Sequence, residues 1–116
     1  MEELKPTTEE RPWGWFRVLA KSEKVTVKIL FVKKGEVFSF QKHQHRSEFW
    51  RILSGEPSVT IGDKDVKAKI GDEFDVPMET EHRIEAQNND VEVLEISRGE
   101  FNENDIVRIE DKYGRT

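Results

Sequence analysis

From Lys24 the hydrophobic pattern is that of β-structure. KVTVKILFV (24–32) is rich in β-branched residues, and KKGEV follows as a turn. Phe38 to His45 alternates, which puts Gln41, His43 and His45 on one face of a strand. Glu48 to Leu53 reads as a further short strand, stopped by Ser54-Gly55-Glu56-Pro57. SVTIGDKDVKAKI (58–70) predicts a hairpin with Gly62-Asp63-Lys64-Asp65 at its turn. Gly71-Asp72 is a turn before EFDVP, and HRIEA and VEVLEISRG are two more strands separated by Asn88-Asn89-Asp90. No segment keeps a helical period, apart from a short turn near Asn102 to Asp105. Short strands at intervals of about eight to twelve residues with glycine-rich turns predict an all-β sandwich or small barrel.

The start of the chain differs in character. Residues 1–10 are polar and charged and are expected to form a frayed lead-in to a single domain over 11–116. Arg11-Pro12-Trp13-Gly14-Trp15-Phe16 then sets three aromatics beside a proline and a glycine, an edge segment capping the core with its rings. With 116 residues the chain supports one hydrophobic core. It has no run of eighteen apolar residues, and its first residues have neither a basic start nor an apolar stretch. Neither a membrane span nor a signal peptide is therefore expected. Cysteine is absent, which removes disulfides and thiolate chemistry and fits a cytoplasmic location. The net charge of -5 is spread along the chain with Lys and Arg interleaved, so no nucleic-acid surface is expected.

The candidate chemistry is concentrated in two stretches. GEVFSFQKHQHRSEFWRILSG (35–55) contains two of the three histidines, and GDEFDVPMETEHRIEA (71–86) contains the third, His82. Gln41, His43 and His45 share a strand face, Glu48 can face them from the next strand, and His82 closes the set. Imidazoles with a carboxylate and an amide oxygen suit one borderline divalent ion, with zinc first and Mn, Fe, Co or Ni as alternatives. A lone strand histidine is more often an ordinary residue, but here all three fall in two short motif-like stretches.

Gly35, five residues, Gln41-x-His43, four residues, Glu48, six residues and Gly55 resemble the first cupin motif, with Gln in place of its first His. Gly71, five residues, Pro77 and then His82 resemble the second. Within cupins the chain is similar to the isomerase domain of type II mannose-6-phosphate isomerases. The similarity is carried by RPWG (11–14), SFQKHQHRSEFW (39–50), HRIE (82–85) and GEFNENDIVRIEDKYGR (99–115). The pattern departs from the family's at Gln44 and Phe49, where histidines are usual, at Glu79, where glycine is usual, and at Ala86, where asparagine is usual. The guanylyltransferase domain that often precedes this one has no counterpart in these residues, so that activity is not expected of them.

This resemblance implies a cupin jelly-roll, that is, a double-stranded β-helix closed into a small barrel. It also implies metal ligands Gln41, His43, Glu48 and His82, with His45 as an extra pocket residue. The implied reaction interconverts mannose 6-phosphate and fructose 6-phosphate in carbohydrate metabolism and polysaccharide biosynthesis, and a homodimer is implied as well. Such an isomerase needs a Lewis acid, a base and a cationic clamp for the phosphate. His45 is the candidate base, with Glu48 or another pocket carboxylate as alternatives, and Arg83, Lys28 and Arg11 are the candidate clamp. Two other readings stay open. One is a sugar- or metabolite-binding cupin without turnover. The other is a non-haem iron oxygenase with His43, His82 and Glu48 as a two-His-one-carboxylate face.

Overall fold

The computed structural model describes residues 7–42, 45–99 and 107–110, and side chains at 7–38 and 45–99. The described chain is built of strands, β1 (Thr7–Arg11), β2 (Gly14–Lys21), β3 (Val25–Val32), β4 (Val37–Lys42), β5 (Arg46–Ser54), β6 (Ser58–Ile61), β7 (Lys64–Lys67), β8 (Glu73–Val76), β9 (His82–Glu85), β10 (Val91–Gly99) and β11 (Val107–Glu110). They form two antiparallel sheets, a six-stranded one in the order β1-β2-β3-β10-β5-β8 and a five-stranded one in the order β11-β4-β9-β6-β7. Among the described residues no helix is long and apolar enough to cross a membrane.

Period-two patterning explains how the sheets close on each other. Leu30 and Val32 of β3, Val91 and Val93 of β10, and Trp50 and Ile52 of β5 all point inward from the six-stranded sheet. They meet Val59 and Ile84 from the other sheet in one core, which Trp13 and Phe16 extend. Each such side chain, fully buried, contributes about 1.5–3 kcal/mol of transfer free energy.

Several sequence expectations change here. Thr7 to Glu10, expected within a frayed lead-in, pair with β2 from Thr7↔Val18 to Glu10↔Trp15, so an ordered hairpin begins inside it. The expected alternation from Phe38 to His45 is described only as far as Lys42, with a register shift against β9 between Phe38 and Gln41, while His43 and Gln44 lie outside the described residues and His45 lies in an exposed bend before β5. The aromatic edge segment is divided: Trp13 and Phe16 enter the core, while Trp15 stacks on Phe31, with centroids 5.2 Å apart, on the outer face. The expected turn at Asn102 to Asp105 lies outside the described residues.

Candidate functional site

One half of the barrel interior is polar. Along the inward faces of β3, β10 and β5 the apolar residues give way to Lys28 and Thr26, Glu95 and Ser97, and Glu48 and Arg46, all buried. The registers align them into lateral rows. Lys28 lies opposite Glu95, which lies opposite Trp50, and Thr26 lies opposite Ser97, which lies opposite Glu48. Two carboxylates and two cations are thus withdrawn from water in one layer, an arrangement tolerable only when charges compensate one another. Arg46 Nε lies 3.3 Å from Glu48 Oε2. Trp50 Nε1 donates to Glu48 Oε1 at 3.1 Å, and Ser97 Oγ donates to Glu95 Oε2 at 3.3 Å.

His82 enters this layer from β9 in the opposite sheet. Its ring packs edge-on to Trp50, with centroids 5.4 Å apart, and both His82 and Glu48 are 1% exposed. His82 Nδ1 lies 3.0 Å from the carbonyl oxygen of Thr80, which can only accept, so Nδ1 carries the proton. Nε2 then presents its lone pair toward Glu48 Oε1, 3.8 Å away. Burial pulls the His82 pKa down to about 4, against smaller upward pulls from the Thr80 carbonyl and Glu95. The ring is therefore neutral at pH 7, and this is not an ion pair but two acceptors facing each other in a dry interior. Such a donor set suits a cation, which would bond to both, and the Thr80 contact fixes the tautomer that a metal-binding imidazole needs. Burial and the neighbouring Glu48 charge raise the Glu95 pKa to about 6, with Lys28 and Arg46 opposing.

The sequence-derived residues are distributed unevenly. Glu48 and His82 come together. The Gln41 backbone pairs with His82 across β4 and β9, but its side chain and all of His43 lie outside the described residues. Among the described residues no three His, Cys, Asp or Glu side chains are grouped to hold a metal. Lys28 points inward, with Nζ 4.4 Å from the centre of the Phe16 ring. Arg11 is half-buried, with Cζ 4.9 Å from the same ring and Nη2 3.1 Å from Glu9. His45 is exposed in the β4–β5 connection, outside the interior expected for a base. Arg83 is also misplaced for a clamp. It alternates with the buried His82 and Ile84 on β9, so it projects from the outer face.

Sequence reading passed over Arg46, Glu95, Thr26 and Ser97. The available signal was periodicity: Val91, Val93, Glu95 and Ser97 share one face of a strand whose inner end is wholly apolar. A cleft of about 430 Å³ between the β6–β7 hairpin and β8, lined by Val59, Ile61, Phe74 and Pro77 among others, borders none of this polar layer.

Known proteins place this geometry in context. The family described as mannose-6-phosphate isomerase C-terminal matches residues 2–111. The chain is 39% identical over 107 residues to mannose-1-phosphate guanylyltransferase of Klebsiella pneumoniae, covering 90% of this chain and 23% of that protein. It is 36% identical over 108 residues to the xanthan biosynthesis protein XanB of Xanthomonas campestris pv. campestris (strain B100), covering 91% of this chain and again 23% of the relative. The chain thus spans less than a quarter of the length of these relatives. In architecture it resembles oxalate decarboxylase from Bacillus subtilis, with a TM-score of 0.80 at 21% identity over 96% of this chain and 32% of that one. A family match along nearly the whole chain and this shared architecture have one conclusion: the protein belongs to the mannose-6-phosphate isomerase C-terminal family and has the cupin fold.

Proposed function

We propose that the chain is the isomerase module of a cytoplasmic sugar-phosphate enzyme, interconverting mannose 6-phosphate and fructose 6-phosphate with one divalent metal ion, zinc first among the candidates. The observation that carries this reading is the pair of buried acceptors, His82 Nε2 and Glu48 Oε1, facing each other across 3.8 Å. Family membership supports the choice of substrate.

In this reading Glu48 and His82 hold the ion together with Gln41 and His43. When bound, the ion supplies a Lewis acid that polarises the sugar carbonyl. Trp50 and Arg46 orient Glu48, and the apolar half of the barrel keeps bulk water away. Glu95, the interior carboxylate outside the ligand set, moves the proton between C1 and C2. Lys28 and Arg11 bring two cations to one ring, Phe16, which supports their role as the phosphate clamp. The positions of His45 and Arg83 give their proposed catalytic roles less support.

Those two positions also favour a second reading, in which the protein binds a sugar phosphate without turning it over. One experiment separates the two. The protein is assayed on mannose 6-phosphate with Zn, Mn, Co or Ni, with a chelator-treated sample and His82→Ala as controls. Turnover lost in both controls is the expected result. Folded, metal-loaded protein that is thermally stabilised by the sugar phosphate yet yields no fructose 6-phosphate would establish the binding reading instead.

A further inference from the structure

In the lateral row Thr26–Ser97–Glu48, two of the three buried polar side chains have hydrogen bonds inside the barrel. Trp50 donates to Glu48, and Ser97 Oγ donates to Glu95. Thr26 differs: it is 1% exposed and its Oγ1 has no hydrogen-bond partner. A buried hydroxyl left unmet is destabilising, and such groups in a folded protein call for a reason. Valine has nearly the same shape, suits a strand as well and would avoid that cost. The hydroxyl is therefore retained for something other than stability.

Its surroundings indicate what. Thr26 is on the inward face of β3, at the same level of the barrel as Glu48 on β5. Two strand spacings of about 4.8 Å set these positions about 10 Å apart, with only the small Ser97 of β10 between them. A six-carbon sugar with its carbonyl end at Glu48 and His82 reaches toward β3 along this row.

We infer that Thr26 Oγ1 hydrogen-bonds a hydroxyl of the bound sugar, at C3 or C4, and selects the configuration at that carbon. The inference rests on the sugar-phosphate reading given above. The chemistry of the group favours a sugar hydroxyl over the phosphate. A threonine hydroxyl donates one hydrogen bond and accepts others, as a sugar hydroxyl does. A phosphate only accepts and is held best by cations, and Lys28 and Arg11 meet elsewhere, at the Phe16 ring. With the carbonyl end and the phosphate end so assigned, the middle of the chain is left for Thr26. An epimer at the contacted carbon would leave the hydroxyl unmet again, which is how such a group discriminates.

The test is a thermal-shift titration of the metal-loaded full chain with mannose 6-phosphate, comparing wild type, Thr26→Val and Thr26→Ser. Thr26→Val is expected to weaken binding about five- to tenfold, the strength of one hydrogen bond, and Thr26→Ser to restore most of it. Analogues lacking the C3 or the C4 hydroxyl identify the contact. One of them is expected to bind wild type and Thr26→Val equally. The midpoint without ligand is the readout that a structural role would move. Thr26→Val is expected to melt at or above the wild-type midpoint, because it removes a hydroxyl that has no partner to lose. Equal binding of mannose 6-phosphate by wild type and Thr26→Val would overturn the inference and leave the isomerase reading standing. So would a Thr26→Val deficit that persists with both analogues, or a lowered midpoint. A wild type that binds no sugar phosphate would overturn both.

Discussion

Trp50 Nε1 donates to the same Glu48 oxygen that His82 Nε2 faces, at 3.1 Å and 3.8 Å respectively. The indole thus holds the carboxylate in place between the sheets. Trp50→Phe retains an aromatic ring and removes the donor. Hydrogen bonds to charged groups are worth about 1.5–3 kcal/mol, and a loss of that order is expected in urea melts. Divalent-ion affinity, read by calorimetric titration, is expected to fall about 10- to 100-fold because an orienting contact to a proposed ligand is lost. A variant equal to wild type on both measures would remove the indole from the site.

The interior groups have opposite pH dependences in the metal-free protein. Burial holds His82 at a folded pKa of about 4, below its ordinary value of 6.5, so its stabilising contribution is present above about pH 6.5 and is lost as pH falls toward 4. Burial holds Glu95 at a folded pKa of about 6, above its ordinary value of 4.5, so its contribution is present below about pH 4.5 and is lost as pH rises through 6. Between these limits the two partly cancel. Glu95→Gln removes one side of the balance and also a charge that holds the His82 pKa up. Denaturation curves at pH 7 and pH 5 should show a steeper acid loss in Glu95→Gln than in wild type, by on the order of 1–2 kcal/mol. An equal or shallower loss would contradict the assignment.

Glu79 is the one non-glycine residue among the described ones with positive φ, at 60°. It lies in the turn that delivers the Thr80 carbonyl to His82. A left-handed conformation costs a side-chain-bearing residue about 1–2 kcal/mol. Replacement by glycine adds about 0.4–1 kcal/mol of unfolded-state entropy. Glu79→Gly is therefore expected to stabilise the protein by up to about 1 kcal/mol, seen as a higher thermal midpoint. A lower midpoint would mean that the Glu79 side chain contributes contacts that outweigh its strain.

Gly14 and Gly35 both have positive φ but differ in surroundings. A Cβ at Gly14 would run into the Phe31 carbonyl, a backbone group of β3 that cannot move aside, whereas a Cβ at Gly35 meets nothing within 4 Å. Gly35→Ala is expected to cost about 1–2 kcal/mol from conformation alone. Gly14→Ala should cost more than about 4 kcal/mol or leave the protein unfolded, as judged by circular dichroism and chemical melts. Equal stability of the two variants would show that β2 can shift away from β3.

Strand content and the Glu48–His82 pairing were legible because both depend on local pattern: alternation for the strands, and motif spacing for the two residues. Where reading by alternation failed, connections were the reason. His45 continues the period of Gln41 and His43 in sequence, but β4 shifts register against β9 between Phe38 and Gln41 and His45 lies in an exposed bend, so its face cannot be carried forward. Arg83 was judged by its charge, although its neighbour His82 already fixed the inward phase of β9 and hence the outward phase of position 83. Arg46 and Glu95 were missed for a different reason. Their meeting depends on β10 lying between β3 and β5, a non-local register that no window of sequence contains.

That placement of β10 also bears on how the molecule is assembled. β3 and β5 do not pair with each other, and both wait for a strand that begins almost sixty residues after β3 ends. Contacts so distant in sequence form late and slowly, after much loop-closure entropy has been lost. Until β10 inserts, Lys28 on one side and Glu48 with Arg46 on the other stay hydrated. Arg46 and Glu48 already compensate each other within β5, and Glu95 reaches Lys28 in the same event that expels water from it, so the chain is spared an intermediate with a bare buried Lys28.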